Sequence, residues 1–505
     1  MSDEIELKLE IAPDALASVL KSEALRARGV RFRPARQLRT AYYDSPDAAL
    51  KAHGIFLRVR ADGRSFVQTV KTAGEGGLLA RRGEWEWPLK GPEPDLALAL
   101  ETGLKPLAKR LRRNDLRQVF LSDMTRRIAL VRDADSVLEL ALDRGEVRAG
   151  RRHEAVCELE IEIKAGGAEP LFALARALAA LPGVGVGHVT KAARGFALAA
   201  GKPPRAVKAA PVALDQAMTP QHAAAAIVDA CAAQAAANVP AVARRRLPEG
   251  VHQLRVALRR LRAALAVFKD VLPGEARRAL RTEAGWLAGL LGPARDLDVI
   301  TADTLKAAAP PPTMADDMRA LGRALAAARR TAWTEAVAAA ASPRTTALLI
   351  DLAQAAWTLR ATPPEEAASL ADFAAAQLER RFEAVLAAAG EIDTLDVEAR
   401  HELRLALKKL RYAADFFAGL YPRKAARKGI KVLAALQEAL GGFNDAASVD
   451  AILARVVAAA PSVRRPALER AALFVSGWAA HRGALAWQEA RRCWAAFADD
   501  GAFWR

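Results

Sequence analysis

Four stretches of the chain carry charged residues at every second position, a spacing that could do chemistry. The stretch Glu4–Lys8 alternates two carboxylates and a lysine with apolar residues, and Cys157–Lys164 alternates three carboxylates and a lysine with apolar residues. Arg58 and Arg60 repeat this spacing with guanidinium groups, and Glu84–Trp87 repeats it with two carboxylates and two indoles. In a strand, side chains two residues apart share one face, so each stretch gathers its charges on one side.

The sorting of charge predicts how these strands are arranged. Each strand is nearly single-signed, whereas a solvated face usually mixes signs, and adjacent carboxylates repel each other unless cations face them. Acidic strands must therefore be neutralised by basic strands across a shared space. This predicts a closed barrel with a charged interior and an apolar outside covered by helices. Such an interior suits a polyanion held by Arg and Lys, with Mg²⁺ or Mn²⁺ bridging it to carboxylates.

The same motifs, in this order, resemble the CYTH family, also called triphosphate tunnel metalloenzymes. Glu4-x-Glu6-x-Lys8 is similar to the signature that opens the family. The resemblance implies an antiparallel β-barrel, or tunnel, over residues 1–202, and metal-dependent hydrolysis of inorganic triphosphate or short-chain polyphosphate. The motifs that follow the signature are Arg58-x-Arg60, Thr69-Val70-Lys71, Glu84-x-Glu86, Glu160-x-Glu162 and Lys191-Ala192-Ala193-Arg194-Gly195.

Charge and facing, together with the resemblance, assign roles to these residues. Phosphate oxygens are expected to contact Lys8, Arg58, Arg60, Lys71, Arg82, Arg126 and Lys191. The candidate ligands of Mg²⁺ or Mn²⁺, directly or through water, are Glu4, Glu6, Glu160 and Glu162. Lys71 and Tyr42 match a lysine–tyrosine pair that is proposed in relatives to support proton transfer; the alternative for Tyr42 is a core aromatic. Glu139 and Asp143 are expected on the inner face, as partners for arginines.

Strand alternation dominates up to about residue 200. Helices are expected at Pro13–Arg28, Asp95–Arg113 and Pro170–Leu181, and a hairpin is expected from Gly54–Arg60 and Ser65–Lys71. A basic, proline-containing linker follows at 203–215. Alanine and leucine at helical spacing then predict an all-α region over 216–505, so the fold class is a multidomain α+β protein.

The all-α region contains an internal repeat. The run His252–Arg262 recurs as His401–Arg411 at an offset of 149 residues, and Phe268 and Phe417 keep that offset. A constant offset predicts two copies of one helical bundle, around 216–340 and 365–490, which often pack with approximate two-fold symmetry.

Each copy opens with a histidine followed by cations on one helical face. At roughly 100° per residue, these side chains form a stripe beside a leucine face that would be core. The two stripes are His252, Arg255, Arg259 and Arg262, then His401, Arg404, Lys408 and Arg411. Their duplication favours an anion-binding surface over a merely solvated basic face, and it resembles the CHAD domain, which implies binding of inorganic polyphosphate. A metal site at the two histidines is disfavoured, since no further ligand lies at suitable spacing.

The whole chain of 505 residues has a formal charge of +17, which favours an anionic partner. Its three cysteines lie far apart and its N-terminus lacks a basic segment before an apolar run, so a cytoplasmic location is expected. Polyphosphate binding would allow association with polyphosphate granules there. No membrane partner is expected. Nucleic-acid binding would explain the charge but lacks aromatic residues interleaved on the basic helices.

Two other functions stay open at this point. The barrel could act on an organic triphosphate, such as thiamine triphosphate or a nucleotide, as a hydrolase or cyclase. Alternatively, both domains could only bind polyphosphate. The glutamates of the barrel motifs argue against pure binding, because a polyanion site has no use for carboxylates.

Overall fold

The computed structural model describes residues 2–72, 77–105, 107, 116–133, 135–362 and 369–505, without the side chains of 2–4, 80–82, 444–445 and 500. The chain divides into two compact units. The first comprises Met1–Val207, Ala235–Ala241 and Ala341–Trp357, and the second comprises Lys208–Gln234, Val242–Ala340 and Thr358–Arg505. The boundaries expected at residues 202 and 216 stay predictions.

The described residues of the first unit form nine strands. They are β1 (Ser2–Ile11), β2 (Arg36–Asp44), β3 (Ile55–Asp62), β4 (Ser65–Thr72), β5 (Leu79–Leu89), β6 (Arg117–Asp133), β7 (Ser136–Ala149), β8 (Arg152–Ala165) and β9 (Val184–Val186). Their order is β5-β4-β3-β2-β6-β7-β8-β1-β9, and β1 also pairs with β5. The second pairing closes eight strands into a barrel, and β9 lies beside β1. All pairings are antiparallel, so the predicted antiparallel barrel is confirmed.

The alternation in β1 explains how a charged interior coexists with an apolar outside. Leu7 and Leu9 lie on the outer face of the barrel, which carries the hydrophobic core, and they are 0% and 1% exposed. Glu6 and Lys8 point the opposite way and line the central cavity. Because the same alternation runs through neighbouring strands, the barrel holds its charges on one side of the sheet and its core on the other.

The described helices before residue 207 are short. They are α1 (Leu16–Leu20), α2 (Glu23–Arg26), α3 (Ala49–Ala52), α4 (Leu96–Leu100), α5 (Glu169–Ala179) and α6 (Lys191–Ala199). The single helix expected over Pro13–Arg28 is wrong, because Ser22 adopts an extended backbone (ψ 148°) that separates α1 from α2. The helix expected over Asp95–Arg113 is described only as α4, and most of its remainder lies outside the described residues.

One end of the barrel interior is apolar, which the expectation of a charged interior did not include. Phe120, Val147 and Val156 belong to the inward-facing rows of β6, β7 and β8, and they pack with Ala192 and Phe196 of α6 into one buried cluster. Helix α6 therefore fills this end on the side of β6, β7 and β8, and the charged residues occupy the remainder.

The second part of the chain is helical, as expected. Its helices of at least ten residues are α7 (Pro220–Ala243), α8 (Pro248–Val267), α9 (Gly274–Val299), α10 (Ala315–Ala340), α11 (Pro343–Ala361), α12 (Leu370–Ala389), α13 (Val397–Phe417), α14 (Arg423–Ala458) and α15 (Arg465–Asp500). Helix α7 is long and apolar enough to cross a membrane, with a mean hydropathy of 1.3, but 67% of that window is buried. A buried core helix has the same properties.

The internal repeat is visible in the packing of α8 against α13. Phe268 and Phe417, which are equivalent positions of the two copies, contact each other with ring centroids 5.9 Å apart, and both are 0% exposed. Contact between equivalent residues is the arrangement expected near a local two-fold axis. The predicted leucine face is also core, since Leu254, Leu258 and Leu403 are buried.

Candidate active site

A cavity of about 960 Å³ lies inside the barrel and is lined by side chains from β1 to β8 and from the start of α6. Among the described side chains, seven cationic and eight acidic ones line it. The cations are Lys8, Arg58, Arg60, Lys71, Arg126, Lys164 and Lys191, and the acids are Glu6, Glu84, Glu86, Glu101, Glu139, Asp143, Glu160 and Glu162. The opposed charges predicted from separate strands therefore converge on one space.

One wall of the cavity is an ion-pair cluster, which we call the acidic wall: Asp143, Glu158 and Glu160 with their cations. Lys191 Nζ lies 2.6 Å from Asp143 Oδ2 and 3.0 Å from Glu160 Oε1, and it also contacts Glu158. Lys8 Nζ lies 3.0 Å from Glu160 Oε1 and 3.3 Å from Glu158 Oε1. Arg126 Nη2 donates to Asp143 Oδ2 at 2.6 Å and to Glu160 Oε2 at 2.8 Å.

Burial and mutual pairing set the protonation of the acidic wall. Burial disfavours the charged form of Glu160, but Lys191, Lys8 and Arg126 outweigh it and hold the pKa of Glu160 well below its usual range. Burial likewise opposes the charge of Lys191, but Glu158, Glu160 and Asp143 raise its pKa. Glu160 and Lys191 are therefore both charged at neutral pH.

The opposite wall carries cations and a tyrosine. Arg58 Nη2 lies 3.3 Å from Glu84 Oε1, and Lys71 Nζ lies 3.0 Å from Glu84 Oε2. Tyr42 forms a hydrogen bond with Arg58. Burial would raise the pKa of Tyr42, but the charge and hydrogen bond of Arg58, with the charges of Arg60 and Lys191, lower it. The tyrosine hydroxyl is thus more acidic than in water and faces the cavity.

Arg60 differs from the other cavity cations. Among the described residues it has no carboxylate within ion-pairing distance, and its buried Nε has no hydrogen-bond partner. The neighbouring charge of Arg58, then burial, then the charge of Arg126 lower the pKa of Arg60 to about 10. A guanidinium held beside two other cations, with no described carboxylate at ion-pairing distance, is suited to an incoming anion.

Helix α6 positions Lys191. The side chain of Thr190 caps the helix by accepting a hydrogen bond from the backbone N–H of Ala193 at 3.1 Å. Gly195 lets the helix pack onto the barrel, because a Cβ there would lie 2.1 Å from the ring of Phe120. The motif Lys191–Gly195 is therefore a capped helix start that presents an ammonium group to the acidic wall.

The structure gathers most of the predicted barrel residues. Glu6, Lys8, Tyr42, Arg58, Arg60, Lys71, Arg126, Glu160, Glu162 and Lys191 line the cavity. The side chains of Glu4 and Arg82 lie outside the described residues. Their backbones are paired between β1 and β5. Glu162 lies 2.6 Å from Lys164 Nζ, away from the acidic wall.

Sequence reasoning gave Glu158 no role and gave Asp143 only that of an arginine partner. Asp143, Glu158 and Glu160 are the three acidic groups among the described residues whose oxygens lie within 4.8 Å of one another. The signal for Glu158 was present, since it shares the alternation of Glu160 and Glu162. The signal for its contact with Asp143 was not, because that contact crosses from β8 to β7.

Carboxylate oxygens in this arrangement fit a hard divalent cation such as Mg²⁺ or Mn²⁺. Three ligand oxygens from Asp143, Glu158 and Glu160 lie close together, and Glu158 Oε2 is buried without a hydrogen-bond partner. The donor set therefore fits the metal that the resemblance implies, although only Glu160 belongs to the ligands expected from the sequence.

The helices that carry the two basic stripes contact each other through Phe268 and Phe417. Arg259 of α8 and Arg411 of α13 both lie close enough to Tyr412 for their charges to lower its pKa, although burial raises it overall.

His252 is half-buried. Burial lowers its pKa, and so do the charges of Arg295, Arg259 and Arg255, against the effect of Glu249. The histidine is therefore neutral at pH 7 in a cationic setting.

Arg255 is held in place by the neighbouring helix α9. Its Nη1 donates to the carbonyl of Ala288 at 2.9 Å, and a Cβ at Gly292 would lie 2.9 Å from the same nitrogen. Gly292 thus makes room for the side chain of Arg255. The other stripe positions are at least partly exposed: Arg259, Arg262, His401, Arg404, Lys408 and Arg411.

The fold and the cavity define a protein of two parts, a closed β-barrel with opposed charges inside and a duplicated helical domain. The CYTH domain matches residues 2–196, and the CHAD domain matches residues 226–454. The helical part of the chain belongs to the CHAD family, and the barrel is similar to CYTH domains.

Three relatives show where the similarity lies. An inorganic triphosphatase of Haemophilus influenzae is 32% identical over 203 residues, which are 39% of this chain and 55% of that protein. The CHAD domain of the plant Ricinus communis, a crystal structure, is 30% identical over 58% of this chain and 96% of its own, with a TM-score of 0.50. A Hippeastrum protein, described as a putative adenylyl cyclase with a dominant triphosphatase activity, is 17% identical over 40% of this chain and 97% of its own, with a TM-score of 0.27. The chain thus spans about half the length of its curated relative.

Proposed function

We propose that the barrel hydrolyses inorganic triphosphate, or short-chain polyphosphate, with Mg²⁺ or Mn²⁺, and that the helical domain binds polyphosphate. The observation that carries the proposal is the arrangement of charge on the two opposite walls of the cavity. Arg58 and Arg60 face the cavity on one side, and Asp143 and Glu160 line it on the other. One wall suits phosphate oxygens and the other suits the cation that accompanies them. Both parts would act on the same ligand, in the cytoplasm.

The chain's own residues support attack of water on a terminal phosphoryl group. Phosphoryl transfer needs alignment and charge neutralisation more than covalent help. Arg58 and Arg60 would hold phosphate oxygens by paired N–H donors, while Tyr42, whose pKa is lowered mainly by Arg58 against the effect of burial, holds a proton at the cavity surface. Lys71 adds a positive charge on the same side of the barrel. A bound divalent cation would neutralise phosphate charge and lower the pKa of its water.

The charge of the cavity supports the metal requirement. Seven cations against eight acids leave no excess positive charge among the described lining residues. A triphosphate that carries four or five negative charges therefore needs cations from solution to enter. We place Mg²⁺ or Mn²⁺ at Asp143, Glu158 and Glu160, with Glu6 and Glu162 as further candidates.

Phosphate release from a substrate panel tests this function on the full chain. Inorganic triphosphate with Mg²⁺ or Mn²⁺ should be hydrolysed faster than thiamine triphosphate or ATP, and EDTA should reduce the rate at least 100-fold. Full activity in EDTA would reject the metal role. Faster turnover of thiamine triphosphate or ATP would replace the inorganic substrate with an organic one.

The basic stripes of α8 and α13 support polyphosphate binding by the helical domain. Replacing Arg255 and Arg404 together by Ala should weaken binding of long-chain polyphosphate at least tenfold and reduce the salt dependence by roughly one to two units of slope. Retention on immobilised polyphosphate across a salt series measures both effects.

The matched control removes the same charge elsewhere. Arg319 and Arg492 are exposed and pair with Asp316 and Glu489 one helical turn away. Their replacement by Ala should change retention less than twofold. Equal loss in both double variants would mean that polyphosphate responds to net charge and not to the stripes.

A further inference from the structure

The ammonium group of Lys191 occupies the centre of the acidic wall. Its Nζ lies within 3.0 Å of oxygens from Asp143 and Glu160 and contacts Glu158 as well. These are the three carboxylates whose oxygens lie within 4.8 Å of one another. The position that a cation shared by all three would take is therefore filled by a side chain of the protein itself.

A divalent cation and this ammonium group exclude each other. Carboxylate oxygens bind Mg²⁺ at about 2.0–2.1 Å, so an ion shared by these oxygens would overlap Nζ. The charge also opposes entry. Lys8, Arg126 and Lys191 balance the three carboxylates, so the closed cluster has no net attraction for a free metal ion.

The cluster nevertheless has an unused ligand atom. Glu158 has a fully buried side chain, at 0% exposure, and its Oε2 accepts no hydrogen bond among the described residues. A buried carboxylate oxygen without a donor is costly, and the three cations leave this one unsatisfied. This is independent evidence that the pocket is built for more than its resident ammonium group.

Lys191 is placed so that its side chain can leave while its backbone stays. It is the first residue of α6, and it lines the cavity that also contains Arg58 and Arg60. The helix itself is held by the Thr190 cap and by the contact of Gly195 with Phe120. A rotation of the side chain alone would carry the ammonium group from carboxylates to a phosphate in the cavity.

We propose that Lys191 is an internal counter-ion that fills the metal position until triphosphate draws its ammonium group away. This inference rests on the proposed function for the identity of the anion. Metal and triphosphate then bind interdependently, since each favours the state in which Lys191 has left the carboxylates. Such coupling is reciprocal: triphosphate tightens metal binding by the same factor by which metal tightens triphosphate binding.

Titration of the full protein with Mn²⁺ alone, without any phosphate, tests whether Lys191 occupies the metal position. Free Mn²⁺ is measured by electron paramagnetic resonance. Lys191→Met, and independently Lys191→Gln, should bind Mn²⁺ at least tenfold more tightly than the unmodified protein. The control is Arg36→Met, which removes an exposed cation of β2 that is paired with Asp62, and it should change Mn²⁺ affinity less than twofold. Circular dichroism checks that each variant is folded.

The coupling is measured on the unmodified protein and on Lys191→Met, once the Mn²⁺ that imidotriphosphate binds in protein-free solution has been determined. Imidotriphosphate, a slowly hydrolysed analogue, should raise the Mn²⁺ affinity of the unmodified protein at least tenfold, and that of Lys191→Met by a smaller factor. The inference is overturned if folded Lys191 variants bind Mn²⁺ no more tightly, or if imidotriphosphate leaves the affinity of the unmodified protein unchanged. Absence of triphosphate hydrolysis would instead reject the proposed function, since the titration with Mn²⁺ alone involves no substrate.

Discussion

Glu160→Gln is expected to reduce phosphate release from triphosphate at least 100-fold while leaving polyphosphate binding unchanged. Glu160 is the carboxylate that joins Lys8, Lys191 and Arg126 in the acidic wall. The substitution keeps its shape but removes the charge that faces these cations and that would bind the metal. Removing one group from a preorganised electrostatic site costs on the order of 10²–10³ in rate. The measurements are the initial rate with Mg²⁺ and retention on immobilised polyphosphate.

Glu154→Gln is the matched control for this prediction. Glu154 lies on the same strand β8, pairs with one cation, Arg194, and does not line the cavity. Its activity should stay within threefold of the unmodified protein. Loss of a buried charge can also destabilise the fold by about 3–5 kcal/mol, so the thermal midpoint is measured for both variants. A folded Glu160→Gln protein with near-normal activity would contradict the assignment of the acidic wall.

Arg60→Met is expected to reduce kcat/KM for triphosphate roughly 100-fold, mainly through a higher KM. A charge-assisted hydrogen bond contributes about 1.5–3 kcal/mol, and a guanidinium group can offer two to one phosphate. Arg60 is available for this, because among the described residues it has no carboxylate partner. Steady-state kinetics with Mg²⁺ measure the effect.

The same substitution should not destabilise the fold, which is unusual for a largely buried residue. Arg58, then burial, then Arg126 lower the pKa of Arg60 to about 10, so its charge is less favourable in the folded than in the unfolded chain. Removing a group whose charge is opposed relieves repulsion at every pH below about 10. The thermal midpoint of Arg60→Met at pH 7 should therefore equal or exceed that of the unmodified protein.

Arg36→Met serves as the comparison for Arg60. Arg36 is an exposed arginine of β2 that pairs with Asp62 and does not line the cavity. Its KM should stay within twofold of normal. A clear drop in the thermal midpoint of Arg60→Met together with an unchanged KM would mean that Arg60 supports the barrel and does not bind substrate.

Much of the barrel site could be predicted from the sequence because strand period is two residues. Glu6 and Lys8, and likewise Arg58 and Arg60, had to share a face wherever their strands lay. Because some of these faces are acidic and others are basic, the sequence also predicted that the strands close into a barrel. The helical repeat was equally readable, because an offset of 149 relates Phe268 to Phe417, which are in contact.

The sequence by itself determined which residues face inward, and only the tertiary structure decided which of them contact each other. A shift of two residues between strands keeps every side chain on its face but exchanges all its cross-strand neighbours. The contact of Asp143 with Glu158 depends on the register of β7 and β8, and the presence of Lys191 among them depends on where α6 packs. The distances of about 3 Å from Lys191 Nζ to the oxygens of Asp143 and Glu160 balance charge within the acidic wall, and only the folded chain shows them.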